Sequence, residues 1–340
     1  MRITAAGVLL VVAIGGGAGA QSTLKTDVDL VSMYFTVRDH KGGLVTNLER
    51  DAFKVSEDGQ AQTIGFFARH SDVPMNVGVL LDVSTSLSRT LGLEADAASH
   101  FFRSVMRAND FGFLVSYASR IQTLQVPVDD ADQLAERAQT IRRHGHPDDL
   151  TRALPQRSTQ RFPFPAPGRV PSSIPDVASL RVARLYDAVG FSVDRFLRHE
   201  VGRKALVIVA LADDAKSDST LRDALRSLKE SDVIAYVMEV EHAPGARRDD
   251  CDIRHIFRHE PDGRIARLAE ETGGRVIKVE GFEKMQVAFD QIADELHQQY
   301  SLGYHPTNQN WDGSFRKVVI QTRGGYRISA RDGYFATRRN

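Results

Sequence analysis

The sequence predicts an α/β fold: a doubly wound, mostly parallel sheet, with flanking β-strands that form a small, Ig-like β module. Three observations carry that expectation. The run MNVGVLLDVS, starting at Met75, is continuously apolar from Val77 to Leu81 and as long as a strand, which is how a strand covered on both faces reads. Beyond it, short apolar runs alternate with longer segments whose apolar residues recur three and four apart, the order of parallel strands joined by helices. Before residue 74 and after residue 300 the pattern switches to strict alternation between glycine-rich turns, as in half-buried antiparallel strands.

Taken in order, residues 1–20 (MRITAAGVLLVVAIGGGAGA) have an early Arg2, an apolar stretch Ala5–Ile14 and a small-residue end at Ala18-Gly19-Ala20. That three-part pattern is a secretory signal peptide cut after Ala20, which sends the chain to the periplasm or outside the cell. An apolar core of about ten residues is too short to span a bilayer, and no later segment approaches a span. Residues 27–73 form the N-terminal β module, with a turn at HKGG and a hairpin turn at Glu57-Asp58-Gly59. Residues 74–300 form the α/β domain. Its helices are EADAASHFFRSVMRA, DADQLAERAQTIRRH, SLRVARLYDAVGFSVDRFLRH, STLRDALRSLKES, DGRIARLAEETG and GFEKMQVAFDQIADELHQQY; its strands include DFGFLVSYAS, IQTLQVPV, KALVIVALA, VIAYVMEV and RVIKV. Two insertions interrupt it: a proline-rich loop at about 144–176 and a segment rich in Arg, Asp and His at about 242–261. Residues 301–336 return to β pattern and are placed to complete the N-terminal module, because chain ends often meet.

Composition narrows the function classes. At 340 residues and 42% hydrophobic content the chain is long enough to bury a large core, and a single cysteine, Cys251, makes no intramolecular disulfide. Forty-four basic residues balance forty-four acidic ones, interspersed along the chain, so no global field draws in nucleic acid or an anionic membrane. Catalysis has no signature: there is no Gly-x-Ser-x-Gly elbow, and no phosphate-cradling glycine loop follows the first strand of the domain. The chain reads as a binding protein and not as an enzyme.

The candidate chemistry lies in VLLDVSTSLSRT. Asp82 ends the first strand of the α/β domain, where ligands gather in a doubly wound sheet, and Ser84 and Ser86 follow at alternate positions. A hard cation such as Mg²⁺ takes oxygen ligands from one or two carboxylates and from hydroxyls. A second acid comes from KALVIVALADDAKSDS, whose strand runs into Asp213 and Asp214. The same residues also suit a helix start, a serine capping free N–H groups and Asp82 facing the positive end of the helix dipole. A second cluster, Cys251, His255 and His259, recurs every four residues and would hold Zn²⁺ on one helical face with Glu260 or His242 as fourth ligand. The loop HGHPDD has metal-ligating residue types without the spacing of a cage.

VGVLLDVSTS followed by LVIVALADD resembles the von Willebrand factor type A (VWA) domain and its metal-ion-dependent adhesion site, over about Pro74 to Tyr300. The flanks FKVSEDGQAQTIGFF, YSLGYHP, DGSFRKVVI and ARDGYF extend the likeness to the exported type A-related proteins abundant in Acidobacteria. The resemblance implies a Mg²⁺ site, or one for Mn²⁺ or Ca²⁺, held by Asp82, Ser84, Ser86 and Asp213, with an acidic side chain of a partner protein completing the coordination shell. It also implies a threonine ligand before the third helix. Here RVARLYDAV puts Ala183 at that place, leaving Ser179 or water to substitute, and Asp214 stands where the family usually has glycine. The function implied is adhesion or protein–protein interaction. The alternatives are a metal-free scaffold protein and, less favoured, a metal-dependent enzyme.

Overall fold

A computed structural model describes residues 30–69, 73–84, 88–144, 183–210, 214, 217–241 and 263–337. Residues 1–20, expected to be a signal peptide, all of the first insertion but His144, and the whole of the second lie outside these residues. The first described strands are β1 (Val31–Arg38), β2 (Phe53–Glu57), β3 (Gln60–Gln62) and β4 (Ile64–Ala68). The α/β region follows as β5 (Met75–Asp82), α1 (Ser88–Val105), β6 (Phe111–Tyr117), β7 (Ile121–Val128) and α2 (Ala131–His144). It continues with α3 (Leu185–Ser192), β8 (Arg203–Ala210), α4 (Leu221–Glu230), β9 (Ile234–Glu241), α5 (Ala266–Glu270), β10 (Val276–Glu280) and α6 (Met285–His297). Four strands follow: β11 (Tyr300–Tyr304), β12 (Phe315–Thr322), β13 (Arg327–Ala330) and β14 (Gly333–Phe335).

The central sheet runs β10-β9-β8-β5-β6-β7, with every neighbouring pair parallel except β6 and β7. This is the doubly wound architecture that the alternating pattern predicts. The period of two along β5 divides the core. Met75, Val77, Val79 and Leu81 pack with α1, α2 and α6 on one face, while Leu80 joins α3, α4 and α5 on the other. Because both faces are covered, all eight residues of β5 are buried.

Outside this sheet, β13-β1-β11-β4 and β14-β12-β2-β3 form two four-stranded sheets that share a third apolar core. Each contains strands from before and after the α/β region: β1 pairs with β11, Phe35 opposite Tyr300, and β2 pairs with β12, Val55 opposite Ile320. Rings from both sheets meet in the middle, Phe35 lying edge-on to Phe53 at 5.2 Å between centroids. The buried Glu57 carboxylate accepts from the hydroxyls of Tyr304 at 2.8 Å and Tyr334 at 3.0 Å.

Three boundaries differ from the pattern reading. α1 starts at Ser88, ahead of the EADAAS run. Tyr300 opens β11 and does not extend α6, since its backbone pairs with Phe35. The described part of SLRVARLYDAVGFSVDRFLRH is α3, which continues as a π-helical turn over Val193–Leu197. None of the helices in the described residues is long and apolar enough to cross a membrane.

Candidate functional site

The chain leaves β5 for β6 and β7 on one side of the sheet, then returns for β8, β9 and β10 on the other. The order therefore reverses at β5, and the crevice at the carboxyl ends of β5 and β8 is the place where such sheets bind ligands. Asp82 is the last residue of β5 and is 0% exposed. It lies opposite Tyr117 in the β5–β6 register, and the next residue, Val83, donates its N–H to the Tyr117 carbonyl at 2.9 Å. The N–H of Ser84 then donates to Asp82 Oδ1 at 2.9 Å. This turn, closed by the aspartate on its own backbone, ends the strand and buries Ser84 beside it.

Two residues that sequence reasoning missed lie at this end of the sheet. Glu94, in the second turn of α1, is 0% exposed, and among the described residues neither of its carboxylate oxygens has a hydrogen-bond partner. Burial pushes its pKa well above the usual carboxylate range, and the charge of Asp82 pushes it further. Tyr117 is fully buried, and its hydroxyl donates to the Val209 carbonyl in β8 at 2.9 Å. Burial raises the Tyr117 pKa too, aided by the charges of Asp82, Glu94 and Asp214. Three acids thus act on one phenol at the switch point. A signal for Glu94 was present in the sequence: it is three residues after Leu91 and four before Ala98, on the stripe that α1 turns to the core.

Asp214 is half-buried and holds the start of α3: its Oδ1 accepts from the Tyr186 N–H at 3.2 Å and from the Ser217 hydroxyl at 2.5 Å. Asp187, in the first turn of α3, accepts from the N–H groups of Asp218 at 3.0 Å and Ser219 at 2.8 Å and from Arg184 Nε at 2.9 Å. Burial works against its charge, but the bonds from Ser219, Asp218 and Arg184 outweigh it and lower the Asp187 pKa. The segment after β8 is in this way tied to the helix that the threonine loop would precede. Ala183 is 1% exposed and packs in the apolar cluster that contains Leu80 and Tyr117. The adjacent Arg184 N–H donates to the Ala118 carbonyl at 3.1 Å.

Of the residues singled out in the sequence, the described part of the structure brings together Asp82 and Ser84, with Asp214 within electrostatic reach of the same tyrosine. Ser86, Ser179, Asp213, Cys251, His255 and His259, together with His242 and Glu260, lie outside the described residues. Among the described residues no group of three or more His, Cys, Asp or Glu side chains is arranged to hold a metal ion. The described donors at the switch point are oxygens: the Asp82 carboxylate, the Ser84 hydroxyl and the Glu94 carboxylate. That donor set suits a hard divalent cation and not a soft one.

No family model and no curated protein matches this chain. Among solved structures it is similar to proximal thread matrix protein 1 from the mussel byssus, at 10% identity and a TM-score of 0.45, over 71% of this chain and 51% of that one. It is also similar to a von Willebrand factor type A structure from Catenulispora acidiphila, at 10% identity and a TM-score of 0.45, over 84% of this chain and 75% of that one. A third is the conserved hypothetical protein BatB from Bacteroides thetaiotaomicron, at 12% identity and a TM-score of 0.42, over 65% of this chain and 97% of that one. The chain spans about half the length of the byssus protein. At these levels the likenesses assign neither a residue role nor an activity.

Proposed function

We propose that this chain is an exported binding protein in which a VWA-type α/β domain presents a divalent cation to an acidic side chain of a partner protein. In this reading residues 1–20 are removed as a signal peptide, residues 74–300 form the binding domain, and residues 27–73 and 301–336 together form its β support. The observation that carries the proposal is the placement of Asp82: a fully buried carboxylate at the reversal point of the sheet, on a turn that also buries the Ser84 hydroxyl. Asp82 and Ser84 would hold Mg²⁺, Mn²⁺ or Ca²⁺ together with Ser86 and Asp213. Bound there, the ion would supply a Lewis-acidic position for a carboxylate from the partner. Asp214 keeps the neighbouring helix start in place through Tyr186 and Ser217.

A second reading is favoured by Ala183, whose methyl group is buried in an apolar cluster where the resemblance expects a ligand hydroxyl. In that reading the turn at Asp82 only starts α1, and the protein is a metal-free scaffold. Calorimetric titration of the purified chain with Mg²⁺ and then Mn²⁺ separates the two. Binding heat that disappears in Asp82→Ala, with the circular dichroism spectrum unchanged, supports the cation site. Absence of binding by Mg²⁺, Mn²⁺ and Ca²⁺ to the folded wild-type protein leaves the scaffold reading. Capture of the partner from the exported fraction with and without EDTA then tests whether the ion mediates the contact.

A further inference from the structure

Among the described residues, the Glu94 carboxylate has no bonding role in the fold. It is a helix residue with no exposure, on the face that packs against the sheet, and neither carboxylate oxygen finds a donor among the described residues. A buried polar group left unpaired costs about 1–3 kcal/mol and a charged one more. A methionine or leucine would fill this position in the α1 core without that cost. Among the described residues, the charged group that acts on Glu94 is another acid, Asp82, which makes its ionised form less favourable still. Ion pairs elsewhere in the protein follow the opposite rule: buried Glu295, for example, is matched by Arg38 and Arg275. Two buried carboxylates that act on each other, with no described arginine or lysine bonded to Glu94, are relieved either by a proton on Glu94 or by a cation, and a cation is the one that balances both charges.

We propose that Glu94 is a further carboxylate of the cation site, a buried negative charge that α1 brings within electrostatic reach of Asp82 and that strengthens binding of a divalent ion. The inference rests on the cation-site reading of Asp82. It adds a residue from the helix to a ligand set otherwise drawn from strand ends and loops. It also gives the site a second source of affinity where Ala183 supplies no hydroxyl.

Three proteins test it, wild type, Glu94→Gln and Glu94→Met, with Asp82→Ala as reference. Each is titrated with Mn²⁺ and Mg²⁺ by calorimetry and melted with and without 5 mM-scale cation, on the order of a hundredfold excess over a weak site. The expected results are at least a tenfold loss of Mn²⁺ affinity in Glu94→Gln and a higher melting temperature of cation-free Glu94→Met than of cation-free wild type. The rise in melting temperature on adding cation should shrink or vanish in both. A merely structural glutamate predicts the reverse, a lower melting temperature in both variants. If wild type binds and Asp82→Ala does not, yet Glu94→Gln binds with wild-type affinity, the role of Glu94 is overturned and the cation site stands. If folded wild type binds neither ion, the cation-site reading itself fails and takes this inference with it.

Discussion

His297 shows how strongly one residue's surroundings act on its charge. It is the last residue of α6, and its Nε2 lies 2.9 Å from the carbonyl of Val105, the last residue of α1. A helix C-terminus favours a protonated imidazole. Here burial lowers the pKa below 6.5, the bond to Val105 opposes that shift, and Arg107 and Arg203 add to it while Asp110 opposes it. The folded protein therefore holds its proton less tightly than the unfolded chain does. As pH falls through 6.5 the unfolded state takes up the proton first, so stability declines in that window and levels off below the folded-state pKa. Urea midpoints measured from about pH 8 to pH 5 should fall in wild type and fall less steeply in His297→Gln. Parallel curves for the two proteins would show that this imidazole does not carry the dependence.

Among the elements, β5 bears the most constraint, because it is the strand from which the sheet grows both ways. Gly78 sits at its centre, where a Cβ would come within 2.1 Å of the Phe113 ring of β6. The ring lies over the strand in the cluster that β5 shares with α3, tilted against Phe196 of the following π-helical turn at 4.8 Å between centroids. Gly78→Ala must push that ring aside in a packed core, which costs about 1–3 kcal/mol. Gly190→Ala, with nothing within 4 Å of its would-be Cβ and a helical backbone, should be neutral or slightly stabilising. Equal stability of the two variants in urea would refute the packing argument.

The same strand shows what sequence discloses. Its unbroken apolar run, its end at Asp82 and the alternation of strands and helices after it were all legible, because burial on two faces leaves a direct trace in residue type. Glu94 was not, although it interrupts an apolar stripe, because a period count treats one acid as noise and only the packed structure shows that it has no route to solvent. The start of α1 at Ser88 was missed for a related reason: its first residues, Ser88-Arg89-Thr90 and then Gly92, carry little apolar periodicity.

At the scale of the whole molecule, the sandwich and the α/β region are joined by charges as well as by chain crossings. Glu295 of α6 is 2% exposed and receives Arg38, which ends β1, at 2.5 Å and also Arg275, which precedes β10. Lys229 of α4 reaches Asp332, between β13 and β14, at 2.9 Å and Glu271 at 2.7 Å, and Arg331 pairs with Asp232. Of these groups Glu295 matters most, since one buried carboxylate balances two guanidiniums from different parts of the fold. Glu295→Gln leaves both cations facing a neutral amide and should cost about 3 kcal/mol, the range for breaking a buried pair by removing one partner. Glu49, which meets Arg69 at 3.0 Å with both side chains exposed, is the control, and Glu49→Gln should cost under about 1 kcal/mol. Added salt should narrow the deficit of Glu49→Gln and leave that of Glu295→Gln largely unchanged, because buried charges are screened less. If both variants lose the same small amount and respond alike to salt, the two regions are held together by chain connectivity and apolar packing alone, and the arginines are incidental to the joint.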